Sequence, residues 1–169
     1  MDFLLAHGST QSPRGYGRLA AALEQRGHRT VAVDLPRDRP EWTAERYADV
    51  ARAQAAALVE PVLVVHSAAG ALAPAIAAAT GARHIAWLAA VLPDAGRSVL
   101  DEIRSDDGMF AAEWRPPSTY VLPTEDRTLT PDWMRRAAAE RLGTEPVELS
   151  AGHCPHVSRP GQVAALLDS

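Results

Sequence analysis

Along this chain, short apolar runs alternate with longer stretches in which apolar residues recur every three or four positions. Asp2 to Ala6, Thr30 to Val33, Pro61 to Val65, His84 to Leu88, Ser118 to Leu122 and Val147 to Leu149 have the length and the β-branched or aromatic content of strands. Between them, Arg14 to Arg26 places Leu19, Leu23 and neighbouring alanines on one helical face, and Glu41 to Leu58 is an alanine-rich helical window. Further helices are predicted from Ala68 to about Thr80, where Gly81 stops the chain, from Pro131 to Leu142, and from Gly161 to Leu167. Strands separated by helical or long crossovers cannot pair as hairpins. The pattern therefore predicts an α/β protein, a three-layer sandwich with a doubly wound, mostly parallel six-stranded sheet.

Composition narrows the picture. The 169 residues, 47% hydrophobic and 22% charged, suit one compact domain over 1–169 with a real core. No repeat, low-complexity tract or linker interrupts it, and the one irregular region is Pro93 to Pro117. A net charge of −4 leaves no basic footprint for nucleic acid. All 17 basic residues are arginine, so lysine Schiff-base chemistry is excluded. The single cysteine, Cys154, rules out an internal disulfide and agrees with a reducing compartment. No charged start leads into an apolar signal segment, and no apolar run approaches the roughly 18 residues of a membrane span. A cytoplasmic protein without a membrane partner is expected.

Three strand ends carry candidate chemistry. The run Pro61-Val62-Leu63-Val64-Val65 breaks at His66-Ser67 and gives way to small helix-forming residues, as a nucleophile elbow does. A serine hydroxyl needs to be lifted out of the backbone, faced by a base and set beside free amides, and a tight strand-to-helix turn supplies that setting. Small residues are wanted two places either side; Ala69 fits and Val65 does not, so the match to Gly-x-Ser-x-Gly is partial. Ser118 to Leu122 delivers Thr124-Glu125-Asp126, and Val147 to Leu149 delivers Gly152-His153-Cys154-Pro155. Serine, acid and histidine thus follow one another in one of the known triad orders.

With these stretches, Phe3-Leu4-Leu5-Ala6-His7-Gly8-Ser9 and Gly27 to Pro36, the chain resembles the α/β-hydrolase superfamily. The resemblance runs from residue 3 to about 160 and lies closest to the branch of plant methyl-ester esterases, hydroxynitrile lyases and bacterial esterase-like proteins. It implies Ser67 as nucleophile, His153 as base and an acid that fixes the histidine tautomer. Asp126 is preferred, since it lies 27 residues before His153, room for one helix and one strand as the resemblance requires; its neighbour Glu125 is the competitor, and as adjacent residues of an extended turn face opposite ways, only one of them should point at His153. The oxyanion hole would use the amide of Ala68, from elbow geometry, and that of Ser9, from the resemblance. A helical cap belongs at 93–117 in that branch; about 25 residues fit only a reduced one, giving a minimal, nearly capless fold.

Other residues have quieter readings. His7 and His66 are expected to pack beside strand ends and hold loops by hydrogen bonds, and His28 and His84 to lie at the surface or strand edges. The His153-x-x-His156 pair lacks a second ligand pair, so no metal and no cofactor is expected. Cys154 reads as packed, not nucleophilic. Gly15-Tyr16-Gly17 lacks the third glycine of a dinucleotide loop, which falls at Ala20. Trp114 and Trp133 lie nearest the cap and acid loop and are candidates for a pocket wall or for core packing.

Three classes of function remain. A serine hydrolase would cleave a small ester or thioester through an acyl-enzyme. A cofactor-free lyase or cyclase would use His153 as base on the same triad, although the lyases of the branch carry lysine where this chain has Cys154. A small-ligand-binding protein would keep the fold without turnover. The partner expected in each case is a small molecule, with a homodimer possible because a second subunit could roof an open site.

Overall fold

The computed structural model describes residues 1–36, 39, 41–93 and 117–169. Its centre is a six-stranded sheet formed by β1 (Asp2–Ala6), β2 (Arg29–Val33), β3 (Val62–His66), β4 (His84–Leu88), β5 (Ser118–Pro123) and β6 (Val147–Leu149). The spatial order is β2-β1-β3-β4-β5-β6, and every pairing is parallel. The sheet is thus wholly parallel, beyond the mostly parallel one predicted.

Helices α1 (Gly17–Glu24), α2 (Ala44–Gln54), α3 (Ala73–Thr80), α4 (Pro131–Ala137), α5 (Pro155–Ser158) and α6 (Pro160–Leu167) flank it. Residues alternate along each strand, so each face buries its own set. Phe3, Leu5, Val62, Val64, Ala86, Leu88 and Val121 cluster with Leu19 and Leu23 of α1 and Val163, Ala164 and Leu167 of α6. Leu4, Ala6, Leu63, Val65, Ile85, Trp87, Tyr120 and Leu122 cluster with residues of α2, α3 and α4. β3 is buried along its whole length, the expected state of a strand covered on both faces.

Element ends differ from the periodicity in explicable ways. The window Arg14 to Arg26 starts as a 3-10 turn, Pro13–Tyr16, with Pro13 in its first turn, and continues as α1. The window Glu41 to Leu58 contracts to α2. Thr130 caps α4 by accepting from the Trp133 amide, and the helix widens into a π turn at Ala138–Leu142. Gly81 does end α3, in the left-handed region at φ 64°. The short helix α5 was missed; His153-Cys154-Pro155-His156 carries no helical period to announce it. Among the described residues, no helix is long and apolar enough to cross a membrane. The expected reduced cap at 93–117, with Trp114, falls almost wholly outside the described residues.

In such sheets the chain turns in opposite senses from two adjacent strands, and a crevice opens between their C-terminal ends. Here those strands are β1 and β3. The segments that follow them, His7-Gly8-Ser9 and Ser67-Ala68, therefore meet at one place.

Candidate active site

β3 ends at His66, and Ser67 turns the chain with φ 54°. A non-glycine residue in the left-handed region is strained by roughly 1–2 kcal/mol, and that turn is what lifts the hydroxyl above the sheet edge. A 3-10 segment, Ser67–Leu72, leads directly into α3. The flanking residues Val65 and Ala69 are both buried, so valine is accommodated at the position where the motif favours glycine. The tightest approach of the elbow falls one residue further on, at Gly70, beside Val91.

The loops after β5 and β6 meet the elbow from the other side. His153 Nε2 accepts from Ser67 Oγ at 3.0 Å, and His153 Nδ1 donates to Asp126 Oδ2 at 2.7 Å. The second carboxylate oxygen, Asp126 Oδ1, accepts from the amides of Thr128 at 2.7 Å and Leu129 at 3.1 Å. The carboxylate plane is therefore set by its own turn. Asp126 is buried, whereas Glu125 is exposed and accepts from the Ser150 hydroxyl at 2.6 Å. The adjacent acids do face opposite ways. Two main-chain bonds, Thr124 N–H to Leu149 carbonyl at 2.9 Å and Glu125 N–H to Ala151 carbonyl at 3.0 Å, join the acid turn to the histidine loop.

The loop after β1 approaches Ser67 more closely than any side chain would permit. A Cβ on Gly8 would stand 2.9 Å from Ser67 Cβ and 3.2 Å from the His66 carbonyl oxygen, so only glycine fits there. His7 holds this loop: its Nδ1 donates to the Gly8 carbonyl at 2.9 Å and its Nε2 accepts from the Leu35 amide at 3.2 Å. The Gln11 amide donates to the same Gly8 carbonyl at 3.1 Å. With that carbonyl engaged in the loop, the trans peptide aims the Ser9 N–H the opposite way.

Residues 3–116 match the model of the alpha/beta hydrolase family. The chain belongs to this family. Solved structures of similar fold include polyneuridine aldehyde esterase, at TM-score 0.79 and 18% identity over 99% of this chain and 98% of that one. A pyrethroid hydrolase from Sphingobium faniae JZ-2 superposes at TM-score 0.75 with 22% identity, covering 99% and 96%. The thioesterase domain of the curacin biosynthetic pathway gives 0.74 and 16%, covering 99% and 90%. No curated protein matches in sequence.

In this alpha/beta hydrolase the switch-point crevice is a cleft of about 310 Å³ lined by Gly8, Ser9 and Ala68 on one side and by Leu35, Tyr47 and Leu72 on another. Ser9 and Ala68 thus border one space, and the described residues that line it carry no Asp, Glu or Arg. Trp133 lies elsewhere: it packs against the core and under the Arg141 guanidinium, 5.8 Å from its ring centre. Behind His153 sit two more imidazoles, His66 and His156. Burial is the main cause that lowers both, His66 to about 3 and His156 to about 4, with the neighbouring histidines adding to it. Both rings are neutral over the physiological range. Cys154 accepts from Gln11 Nε2 at 3.1 Å, and burial raises its thiol above the ordinary value, which makes it a poor nucleophile.

Proposed function

We propose that this chain is a serine hydrolase that cleaves a small carboxylic ester or thioester through an acyl-enzyme intermediate. One observation carries the reading: a strained serine, an imidazole and a buried carboxylate form a continuous hydrogen-bonded line at 3.0 and 2.7 Å. The family supports hydrolysis, and the neighbours' names span ester and thioester cleavage.

In the proposed reaction Ser67 Oγ bonds to the substrate carbonyl carbon while its proton passes to His153 Nε2. The carbonyl π pair moves to oxygen, where the amides of Ser9 and Ala68 donate to the developing charge. Asp126 keeps the proton on Nδ1, so that Nε2 is the free base, and stabilises the imidazolium once it forms. Collapse of the tetrahedral adduct breaks the bond to the alcohol or thiol, which leaves with the proton from His153. Water then repeats the sequence on acyl-Ser67, releasing the acid and restoring the serine. The described lining of the cleft is mostly apolar, with Leu35, Pro36, Ala69, Ala71 and Leu72 on its wall, which suits a short acyl group.

Fluorophosphonate labelling followed by intact-mass measurement tests this reading. The expected result is one covalent adduct on Ser67 that Ser67→Ala abolishes, with hydrolysis of p-nitrophenyl acetate or butyrate falling on the order of a thousandfold or more in the same variant. Ester hydrolysis that survives Ser67→Ala above the buffer rate would overturn the acyl-enzyme mechanism.

A further inference from the structure

Segment 66–67 touches residue 153 twice. Ser67 reaches the side chain of His153, and His66 reaches its main chain: His66 Nε2 donates to the His153 carbonyl oxygen at 2.8 Å. Because a carbonyl can only accept, the His66 proton must sit on Nε2, leaving Nδ1 as a bare lone pair. That Nδ1 is buried and has no hydrogen-bond partner among the described residues. The ring cannot turn over without losing the one bond it makes.

The His66 ring is held by its neighbours. It lies 4.8 Å from the His153 ring and 4.5 Å from the His156 ring, the latter edge-on. His156 is wholly buried, and its far side meets Tyr16 at 4.8 Å. Tyr16 is anchored in turn, donating to the carbonyl of Ala6 at the end of β1 at 2.9 Å. The stack Tyr16, His156, His66 therefore runs from β1 to the carbonyl of residue 153.

Among the described residues, the loop that carries His153 is fastened at several points, including the Gln11 Nε2 bond to Cys154 Sγ and an Arg159 Nε bond to the Ser150 carbonyl. The acid turn holds Ala151 through the Glu125 amide, α5 holds the Cys154 carbonyl through the amides of Val157 and Ser158, and the nucleophile strand holds residue 153 itself through His66. Among the described residues, only the last reaches a main-chain atom of residue 153 itself and so ties the imidazole's own backbone to the nucleophile strand. A shift of 1 Å at such a site costs on the order of a hundredfold in rate.

The geometry points to His66 as a positioning residue, a neutral donor that clamps the main chain of His153 to the nucleophile strand and so sets the Ser67–His153 distance. This rests on the reading of Ser67 and His153 as nucleophile and base. The titratable groups facing His66 are His153 and His156, through their rings, and Asp126. A clamp of this kind works only while neutral: a protonated His66 would set a second positive charge against the imidazolium that His153 must become. Burial opposes that protonation and outweighs the hydrogen bond to the carbonyl, which favours it.

Two substitutions separate positioning from packing. His66→Phe keeps the ring and its stacking but removes the donor, whereas His66→Gln loses the ring and retains an N–H that can reach the carbonyl. With p-nitrophenyl butyrate, His66→Phe is expected to lower kcat tenfold or more at a KM within about twofold, and His66→Gln to recover most of that loss. Equal kcat for His66→Phe and the parent protein, or equal damage by both substitutions, overturns the clamp. A second measurement needs no turnover. Imidazole nitrogen NMR of the unsubstituted protein should show His66 in the Nε2–H form without titrating between pH 5 and 8, and amide exchange at 151–154 should quicken in His66→Gln less than in His66→Phe. An Nδ1–H tautomer, or titration in that range, overturns the proposal even if no ester is ever cleaved. Failure of Ser67 to label, with the NMR result as expected, would instead count against the hydrolase reading and leave the clamp standing.

Discussion

Gly70 and Val91 touch backbone to backbone: a Cβ built on Gly70 would stand 1.9 Å from the Val91 carbonyl oxygen and 3.1 Å from its nitrogen. The same Val91 amide donates to the Ser67 carbonyl at 3.0 Å, so a residue three positions past β4 both fills the space beside the elbow and ties it down. No rotamer change relieves such a contact, since both partners are main chain.

Gly70→Ala should therefore destabilise the fold by about 3 kcal/mol or more, at or above the upper end of ordinary overpacking. Gly17→Ala is the matched comparison: it lies in α1 with nothing within 4 Å of the added methyl, and should be neutral or slightly stabilising. Urea unfolding of the two variants measures both. Equal midpoints would mean that the elbow can move away from Val91.

The two acids of the β5 turn should behave differently. Asp126→Asn removes the acceptor that fixes the His153 tautomer and should cut kcat by about three to four orders of magnitude with circular dichroism unchanged. Glu125→Gln alters only an exposed bond to Ser150 and should change kcat less than about threefold. If the glutamate change were the more damaging, the assignment would be reversed.

Stability should fall as the solution is made acidic, and the histidines behind the site give the sign. An unfolded histidine takes up a proton near pH 6.5, whereas folded His66 and His156 do so only near 3 and 4 because they are buried. Between these values the unfolded chain binds more protons, so unfolding becomes easier as pH drops. The contribution is fully present above about pH 6.5 and is progressively lost below it, with a slope on the order of 1 kcal/mol per pH unit for each ring. Urea midpoints from pH 7 to 4.5 report it, and His156→Phe should make the decline shallower. Midpoints that stay level over this range would show that the two rings are not held neutral by burial.

Acyl length should respond to the wall of the cleft. Ala71 lines it beside Leu72, and Ala71→Leu adds bulk where a longer chain would extend. The ratio of kcat/KM for p-nitrophenyl butyrate to that for the acetate should drop severalfold, mostly through KM. An unchanged ratio would place the acyl group elsewhere.

Much of the architecture is written in local pattern. Strands such as Val62–His66 are short, apolar and β-branched, helices such as α1 repeat leucine at helical spacing, and their alternation leaves a parallel sheet as the only way to pair neighbours. The left-handed stop at Gly81 is local in the same sense, because a residue without a Cβ takes that conformation at no steric cost. Ser67 and His153 also stood out, as polar residues where apolar runs break.

Distances between such places were not legible, because they depend on how strands far apart in sequence are ordered and registered. Glu125 and Asp126 are alike as letters; the register of β5 against β6, with Pro123 opposite Leu149, turns one to Ser150 and the other to His153. Gly8 and Gly70 look like ordinary loop and helix glycines until Ser67 and Val91 arrive beside them from other strands. His66 reads as a strand-end residue, and its bond spans 87 positions to a carbonyl that bears no sequence signal at all. Periodicity sets which residues face inward, since burial of each segment is decided within a turn or two of chain. Tertiary packing alone sets which inward or loop-borne groups meet, since a hydrogen bond fails over a fraction of an ångström that no spacing along the chain encodes.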